Sequence, residues 1–186
     1  ASLDVALKAT ITEAPLPKAE LIAPDSAAAG TSLSVQWSGP STDQDTIGVQ
    51  DAAGSVKAWA YVEPNQPATM RLPPVAGQYQ IVYSQRDSSR RALATRPINV
   101  TESDFSLSAA DSVAPGAEIS ITHRAPVGAQ DTIVIAKAGD DGYISYSYVG
   151  EGGIVTLTAP DEPGSYELRY RFGDSIIVST RAIEVR

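Results

Sequence analysis

Cysteine is absent from the 186-residue chain, and histidine and methionine each occur only once. Without cysteine there is no disulfide, no thiolate nucleophile and no cysteine-ligated zinc. A Ser-His-Asp triad or a histidine-containing zinc site would have to be built around His123, the one histidine. We expect His123 to be a packed side chain with one hydrogen bond, and the sequence predicts neither an enzyme nor a bound cofactor.

Long apolar runs and helical periodicity are missing as well. No segment approaches the about 20 apolar residues that a membrane-spanning helix needs. Hydrophobic residues still make up 42% of the chain and charged residues only 19%, which is typical of a folded globular protein. The chain starts at Ala1-Ser2 without a methionine, and we interpret it as a fragment of a longer protein.

Positive charge is scarce in the second half of the chain. Residues 102–186 contain thirteen Asp or Glu but only six Lys or Arg, and the whole chain has a net charge of −8. An acidic surface repels phosphate backbones, so nucleic acid is not an expected partner.

The sequence contains an internal repeat. The pattern Pro-x-x-x-Gly-x-Tyr occurs at Pro73, Gly77 and Tyr79 and returns at Pro160, Gly164 and Tyr166. Flanking apolar positions match at offsets of 86 or 87 residues. A repeat of this length indicates two copies of one unit. We therefore predict an N-terminal strand or remnant of a preceding module at 1–15 and two domains at 16–101 and 102–186.

The sequence pattern predicts about seven short strands in each unit, separated by Gly, Pro, Asp and Ser turns. This number of strands in some 85 residues predicts an all-β chain of two tandem immunoglobulin-like or fibronectin III-like sandwiches. Tyr79 and Tyr166 should begin the sixth strand, after the turns at Gly77 and Gly164, and should bond their hydroxyls to nearby backbone.

Two structural features are expected at the edges of these units. The repeated Asp45 and Asp131 can each accept from backbone N–H groups in an Asx-turn before the third strand. The linker Thr101-Glu102-Ser103-Asp104 is four residues long, so the joint should bend little.

Aromatic residues two positions apart give the candidate interaction surface. They are Trp59 and Tyr61 in the first unit, and Tyr146 and Tyr148, with Tyr143 nearby, in the second. Such spacing places side chains on one face of a strand. If that face is outward, it offers a stacking surface for a sugar or a protein. The inward alternative is favoured, because phenylalanine is scarce and each core must be filled.

Acidic turns in the second unit are candidates for calcium, a cation that needs six to eight converging oxygen ligands. The candidates are Asp140, Asp141, Asp161 and Glu162. No Asp-x-Asp-x-Asp-Gly loop is present, and solvated turns are the favoured interpretation.

Several stretches resemble a known family. Ala23-Pro24-Asp25-Ser26, Val35-Gln36-Trp37-Ser38-Gly39-Pro40, Asp45-Thr46-Ile47 and the segment Pro160–Tyr170 are similar to the tandem immunoglobulin-like repeats that follow von Willebrand factor A domains. Those repeats occur in exported proteins of Gram-negative bacteria. The resemblance implies a periplasmic, cell-surface or extracellular module. Its role would be that of a spacer, an adhesion domain or a binder of proteins or neighbouring domains, with carbohydrate or calcium binding as the alternative.

Overall fold

The computed structural model describes residues 15, 17–86, 91–173 and 175–186. The predicted N-terminal strand at 1–15 lies outside the described residues except for Pro15. Every regular element in the described ranges is a β-strand. No helix there is long and apolar enough to cross a membrane.

The first sandwich contains eight strand segments, because its first strand is interrupted. The segments are β1 (Glu20–Ile22), β2 (Ser26–Ala28), β3 (Ser32–Ser38), β4 (Thr46–Gln50), β5 (Val56–Tyr61), β6 (Ala68–Arg71), β7 (Gly77–Ser84) and β8 (Ala92–Thr101).

The second sandwich repeats the same order. Its segments are β9 (Ser106–Ser108), β10 (Ser112–Val113), β11 (Glu118–Arg124), β12 (Thr132–Lys137), β13 (Ser145–Tyr148), β14 (Ile154–Thr158), β15 (Gly164–Phe172) and β16 (Ile176–Val185).

Each sandwich packs a three-stranded sheet against a five-stranded one. In the first unit the sheets have the orders β1-β3-β6 and β2-β8-β7-β4-β5, and the second unit has the equivalent β9-β11-β14 and β10-β16-β15-β12-β13. The split first strand changes sheets, since β1 pairs antiparallel with β3 whereas β2 pairs parallel with β8. If the two segments of the split strand are counted as one, each unit has seven strands. The prediction of two immunoglobulin-like or fibronectin III-like sandwiches is confirmed.

The alternation of apolar and polar residues along the strands builds the two cores. In β3 and β11 every second side chain is buried or half-buried, as a sheet with one solvated face requires. Branched aliphatic residues fill most of each core around one fully buried tyrosine, Tyr83 in the first unit and Tyr170 in the second. Phe105, the residue directly after the linker, packs against both cores and so contributes to the contact between the two units.

The repeated turn that precedes β7 and β15 is fixed by a tyrosine. Tyr79 Oη donates to the Val75 carbonyl at 3.0 Å, and Tyr166 Oη donates to the Glu162 carbonyl at 2.8 Å. Both rings are buried while both acceptors lie four residues upstream. Each tyrosine therefore ties an otherwise exposed turn to the start of a central strand.

Replacing Tyr79 with phenylalanine tests this bond. We expect Tyr79→Phe, and likewise Tyr166→Phe, to lower the free energy of unfolding by about 0.5–1.5 kcal/mol, because the ring stays packed while one hydrogen bond is lost. Urea denaturation measures the effect. Tyr61→Phe is the matched control, since Tyr61 is half exposed. Equal losses in all three variants would contradict the role of the bond.

Candidate functional site

The aromatic pairs lie on equivalent edge strands and face solvent. Trp59 and Tyr61 on β5 are each 52% exposed, and Tyr146 and Tyr148 on β13 are 49% and 62% exposed. Tyr143, just before β13, is exposed to a similar degree. The favoured expectation that these rings fill the cores was wrong. Branched aliphatic side chains and two other tyrosines already fill that space, and the residues between the exposed rings point inward instead.

Each aromatic set forms edge-to-face contacts across the sheet surface. The Trp59 and Tyr61 rings have centroids 4.9 Å apart at 83°. In the second unit Tyr146 contacts Tyr143 at 5.8 Å and Tyr148 at 5.7 Å. Such contacts hold exposed rings in fixed orientations. The Arg171 guanidinium lies 5.3 Å from the centre of the Tyr143 ring.

A groove of about 410 Å³ lies beside Trp59 on the outer face of the five-stranded sheet. Gly48 forms part of its lining and is directly opposite Trp59 in the β4–β5 register. Apart from Arg86, the described residues of the lining are polar and uncharged or apolar. The other lining residues are Gln44, Thr46, Gln50, Val56, Tyr61, Ser84 and Gln85.

The equivalent surface of the second sandwich is filled. Val134 occupies the repeat position of Gly48 and lies between Tyr146 and Arg169 in the strand register. Val134 and Arg169 are both buried. Arg169 bonds the Glu167 carboxylate at 2.8 Å. The two outer faces therefore share their aromatic residues but differ in shape.

The repeated aspartates lie at the same place in each unit, fully buried at the start of the third strand. Asp45 accepts from the backbone N–H of Thr42 at 3.0 Å and of Arg86 at 2.9 Å, and from Tyr83 Oη at 3.2 Å. Burial raises the pKa of Tyr83 to about 12, and the nearby Asp45 carboxylate adds to the effect. Asp45 thus braces the loop and orients the central tyrosine of the core.

Asp131 makes the same local bonds and one further interaction across the joint. It accepts from Gly128 N–H, Gly173 N–H and Tyr170 Oη at 2.8–3.1 Å. Arg71, from the end of β6 in the other sandwich, donates to both Asp131 oxygens at 2.6 and 2.7 Å. The aspartates thus accept from backbone N–H groups of the loop, as expected, but the donors lie three residues before each aspartate and in a distant loop, so the bonds do not form an Asx-turn.

The charge of Asp131 is stabilised despite complete burial. Burial alone would raise the pKa of Asp131, but Arg71, the Gly173 N–H and the Tyr170 hydroxyl together hold it below its usual 3.8. The pKa of Tyr170 is raised, first by burial and then by its bond to the carboxylate. Asp131 is thus an ionised acid inside the protein with an arginine from the neighbouring unit.

Arg71 also makes three contacts that fix its own position. It donates to the Gly30 carbonyl at 2.8 Å and to the Pro126 carbonyl at 2.5 Å, and its guanidinium lies 3.7 Å from the centre of the Phe172 ring. A side chain at Gly128 would collide with the guanidinium. The first unit has Thr42 at that repeat position. Glycine at 128 therefore opens the space through which Arg71 reaches Asp131.

His123 is 5% exposed and occupies the repeat position of the half-buried Trp37. Its ring packs 6.1 Å from that of Tyr170. Within the described part of the chain, neither ring nitrogen has a partner at hydrogen-bond geometry. Burial lowers the pKa of His123 below 6.5, and the nearby Gly150 backbone opposes this only partly. The expected single hydrogen bond is represented only by this interaction with the Gly150 backbone, which lies outside the usual hydrogen-bond distance and angle.

The acidic turns do not converge on a metal site. Among the described residues there is no group of three or more His, Asp or Glu side chains that could hold a metal ion. Asp140 accepts from Gly142 N–H at 3.1 Å. Glu162 lies 3.8 Å from the Lys137 ammonium, and Asp141 and Asp161 are exposed. These acids act as local turn braces and solvated charges.

Two features of the site escape sequence reasoning. Arg71 ends an ordinary alternating strand, and its partner lies 60 residues away. Gly48 falls within a strand pattern. Only comparison of the two repeats gives a signal for either feature, since Thr42 becomes Gly128 and Gly48 becomes Val134.

Comparison with known proteins shows likeness of fold alone. No protein-family model and no curated protein matches the sequence. Similar structures include the BSP domain of a biofilm-associated protein (14% identity, TM-score 0.37), covering 89% of this chain and 29% of that one. A Bacteroides ovatus glucan-utilization protein, SGBP-B, determined with a mixed-linkage heptasaccharide, gives 16% identity and a TM-score of 0.32, with coverages of 91% and 45%.

A two-domain fibronectin type III segment of chicken tenascin gives 15% identity and a TM-score of 0.38, with coverages of 92% and 100%. The chain therefore spans less than half of the first two proteins and all of the third. The sheets described above themselves define the class of this chain, that of tandem immunoglobulin-like or fibronectin III-like sandwiches.

Alanine substitutions distinguish surface rings from core rings. We expect Trp59→Ala and Tyr148→Ala to change the free energy of unfolding by no more than about 1 kcal/mol, because half or more of each side chain is already solvated. Tyr83→Ala, in the core, should cost about 3–5 kcal/mol. Urea denaturation gives all three values. A loss at Trp59 as large as that at Tyr83 would assign Trp59 a structural role.

Because His123 is buried, we predict that the free energy of unfolding depends on pH. Because the folded state has the lower pKa, the unfolded chain binds the proton more readily, and stability falls as the pH drops below about 6.5. The slope for one proton is at most about 1.4 kcal/mol per pH unit. His123→Phe should remove this slope between pH 7.5 and 5, measured by urea unfolding. Identical slopes in both proteins would contradict the prediction. Asp131 titrates at lower pH and does not interfere.

Proposed function

We propose that the chain is a non-catalytic spacer and interaction module of a larger exported bacterial protein, located in the periplasm, on the cell surface or outside the cell. The observation that carries the proposal is the insertion of Arg71 from one sandwich onto the buried Asp131 of the next. A spacer must hold its ends at a defined distance, and this contact resists bending.

The energetics favour a closed joint. A buried carboxylate that loses its only cation is strongly destabilised, typically by about 3–5 kcal/mol. The effect here is smaller than for a fully buried pair, because 24% of the Arg71 side chain stays exposed. Phe105 packs on both cores, and Ser103 Oγ donates to the Ala29 carbonyl at 2.7 Å. The short linker is thus bonded to the first unit, and the residue that follows it packs against both.

The interaction role rests on the exposed aromatic faces. Large aromatic side chains in fixed orientations are enriched at the centres of protein interfaces. Five such rings lie on the outer faces of two equivalent sheets and leave about half of their surface in solvent. Proteins or neighbouring domains of the same chain are the proposed partners.

The non-catalytic role follows from what the candidate groups are doing. His123 is buried beside a tyrosine. Asp45 and Asp131 are both occupied by local bonds. In the residues that the structure describes, no aspartate, glutamate or histidine lines the groove at Gly48. The groove therefore offers contact surface rather than an activated nucleophile or base.

Arg71→Ala tests the spacer role. We expect the two sandwiches to lose their common orientation, seen as separate alignment tensors in residual dipolar couplings and a broader distance distribution in X-ray scattering. Gly128→Ala should have the same effect, because its methyl group displaces Arg71 while leaving the arginine in the chain. Arg96→Ala is the control, since Arg96 pairs with the exposed Asp25.

Two results would contradict the spacer role. One is a wild-type protein whose units already align independently. The other is a common orientation that survives in both Arg71→Ala and Gly128→Ala.

A further inference from the structure

We propose that the groove between Gly48 and Trp59 binds a neutral glycan. This inference rests on the interaction role proposed above and assigns a ligand class to the face of the first sandwich. It does not depend on the joint at Arg71.

The chemistry of the groove matches that of a sugar. A sugar ring has an apolar C–H face and a rim of hydroxyls, each both a donor and an acceptor. Trp59 and Tyr61 supply aromatic surfaces for the ring face. Five uncharged polar side chains line the same space, and amides and hydroxyls likewise donate and accept. They are Gln44, Thr46, Gln50, Ser84 and Gln85.

One of these polar groups lacks a partner. Oε1 of Gln85 is buried, and it accepts no hydrogen bond from any residue that the structure describes. A buried acceptor without a donor costs free energy. Because this atom is shielded from solvent, a ligand hydroxyl does not reach it in this side-chain position, and Gln85 contributes only through the part of its side chain that lines the groove.

Gly48 creates the space. Its backbone does not take a positive φ, so the conformation does not require glycine. A Cβ there would meet the Ala58 carbonyl at 3.2 Å and Trp59 Cβ at 3.5 Å. The second sandwich has Val134 at this place, opposite Tyr146, and that face is filled. Glycine at 48 therefore removes a side chain that the same strand pairing accommodates in the other repeat.

The lining argues against other occupants. An apolar peptide anchor would bury the amides of Gln44, Gln50 and Gln85 without giving them partners, which is costly. A strongly charged ligand would need several opposite charges, but Arg86 is the only charged residue in the described lining. The volume of about 410 Å³ lies within the range of about 300–1,000 Å³ for small-ligand sites.

Titration with cellohexaose, a neutral β-linked hexasaccharide, tests the proposal in the whole chain. Maltohexaose and polygalacturonate serve as the α-linked and the acidic comparison. We expect saturable amide shifts at Gly48, Trp59 and Gln85 with one of the neutral glycans at millimolar concentration. Trp59→Ala should weaken binding at least about tenfold.

Gly48→Val is the decisive variant, because it copies the residue found in the second repeat. It should abolish the shifts while the urea midpoint stays close to that of the wild type. If Gly48→Val unfolds the domain, Gln50→Leu replaces it, as it removes a polar group from the lining without touching the strand pairing. Tyr148→Ala, on the other sandwich, should leave binding unchanged.

The opposing outcomes are distinct. The proposal is overturned if none of the glycans binds at millimolar concentration or if Gly48→Val keeps full affinity. Binding of polygalacturonate alone overturns the neutral assignment. A different outcome is a partner protein that binds the wild type and Gly48→Val equally well but not Trp59→Ala. That result overturns the glycan assignment and leaves the interaction role intact. If the Arg71→Ala experiments contradict the rigid joint, only the proposed spacer role is affected.

Discussion

The buried carboxylate of Asp131 is the constraint on which the arrangement of the two sandwiches depends. A fully buried acid keeps its charge only where donors and a cation surround it. Two backbone N–H groups and Tyr170 supply the donors from within the second unit, and Arg71 supplies the cation from the first. The charge balance of one core is therefore completed by a residue that belongs to the other domain.

The surroundings of the buried aspartate differ between the two repeats. Asp45 holds its own loop and Tyr83 through local bonds, with Thr42 where the second unit has Gly128. Phe172, which supports the Arg71 guanidinium, replaces Gln85 of the first unit. A small set of substitutions thus turns a loop brace into a contact between domains, with no change in strand order.

The fold was readable from the sequence because period-2 alternation, turn residues and the repeat all report local geometry. The sequence does not predict the pairing of β2 with β8 or the split first strand, since both depend on a change of sheet within nine residues. The prediction that the aromatic side chains face the cores is wrong, because alternation defines two faces without indicating which one is buried. The sequence gives no sign of the role of Arg71, because its partner lies in another unit and strand patterns carry no information about such distant pairs.

The positions where the two repeats differ by one small residue are where function diverges. Gly128 admits an arginine and Gly48 leaves a groove, whereas their counterparts, Thr42 and Val134, carry side chains at the equivalent places. A glycine that is not required by its φ angle removes contacts and weakens a strand or loop. Its presence in one copy of a repeated structure therefore indicates that the space itself is used. In this chain one such space is already occupied, by Arg71, and the other lies open beside Trp59.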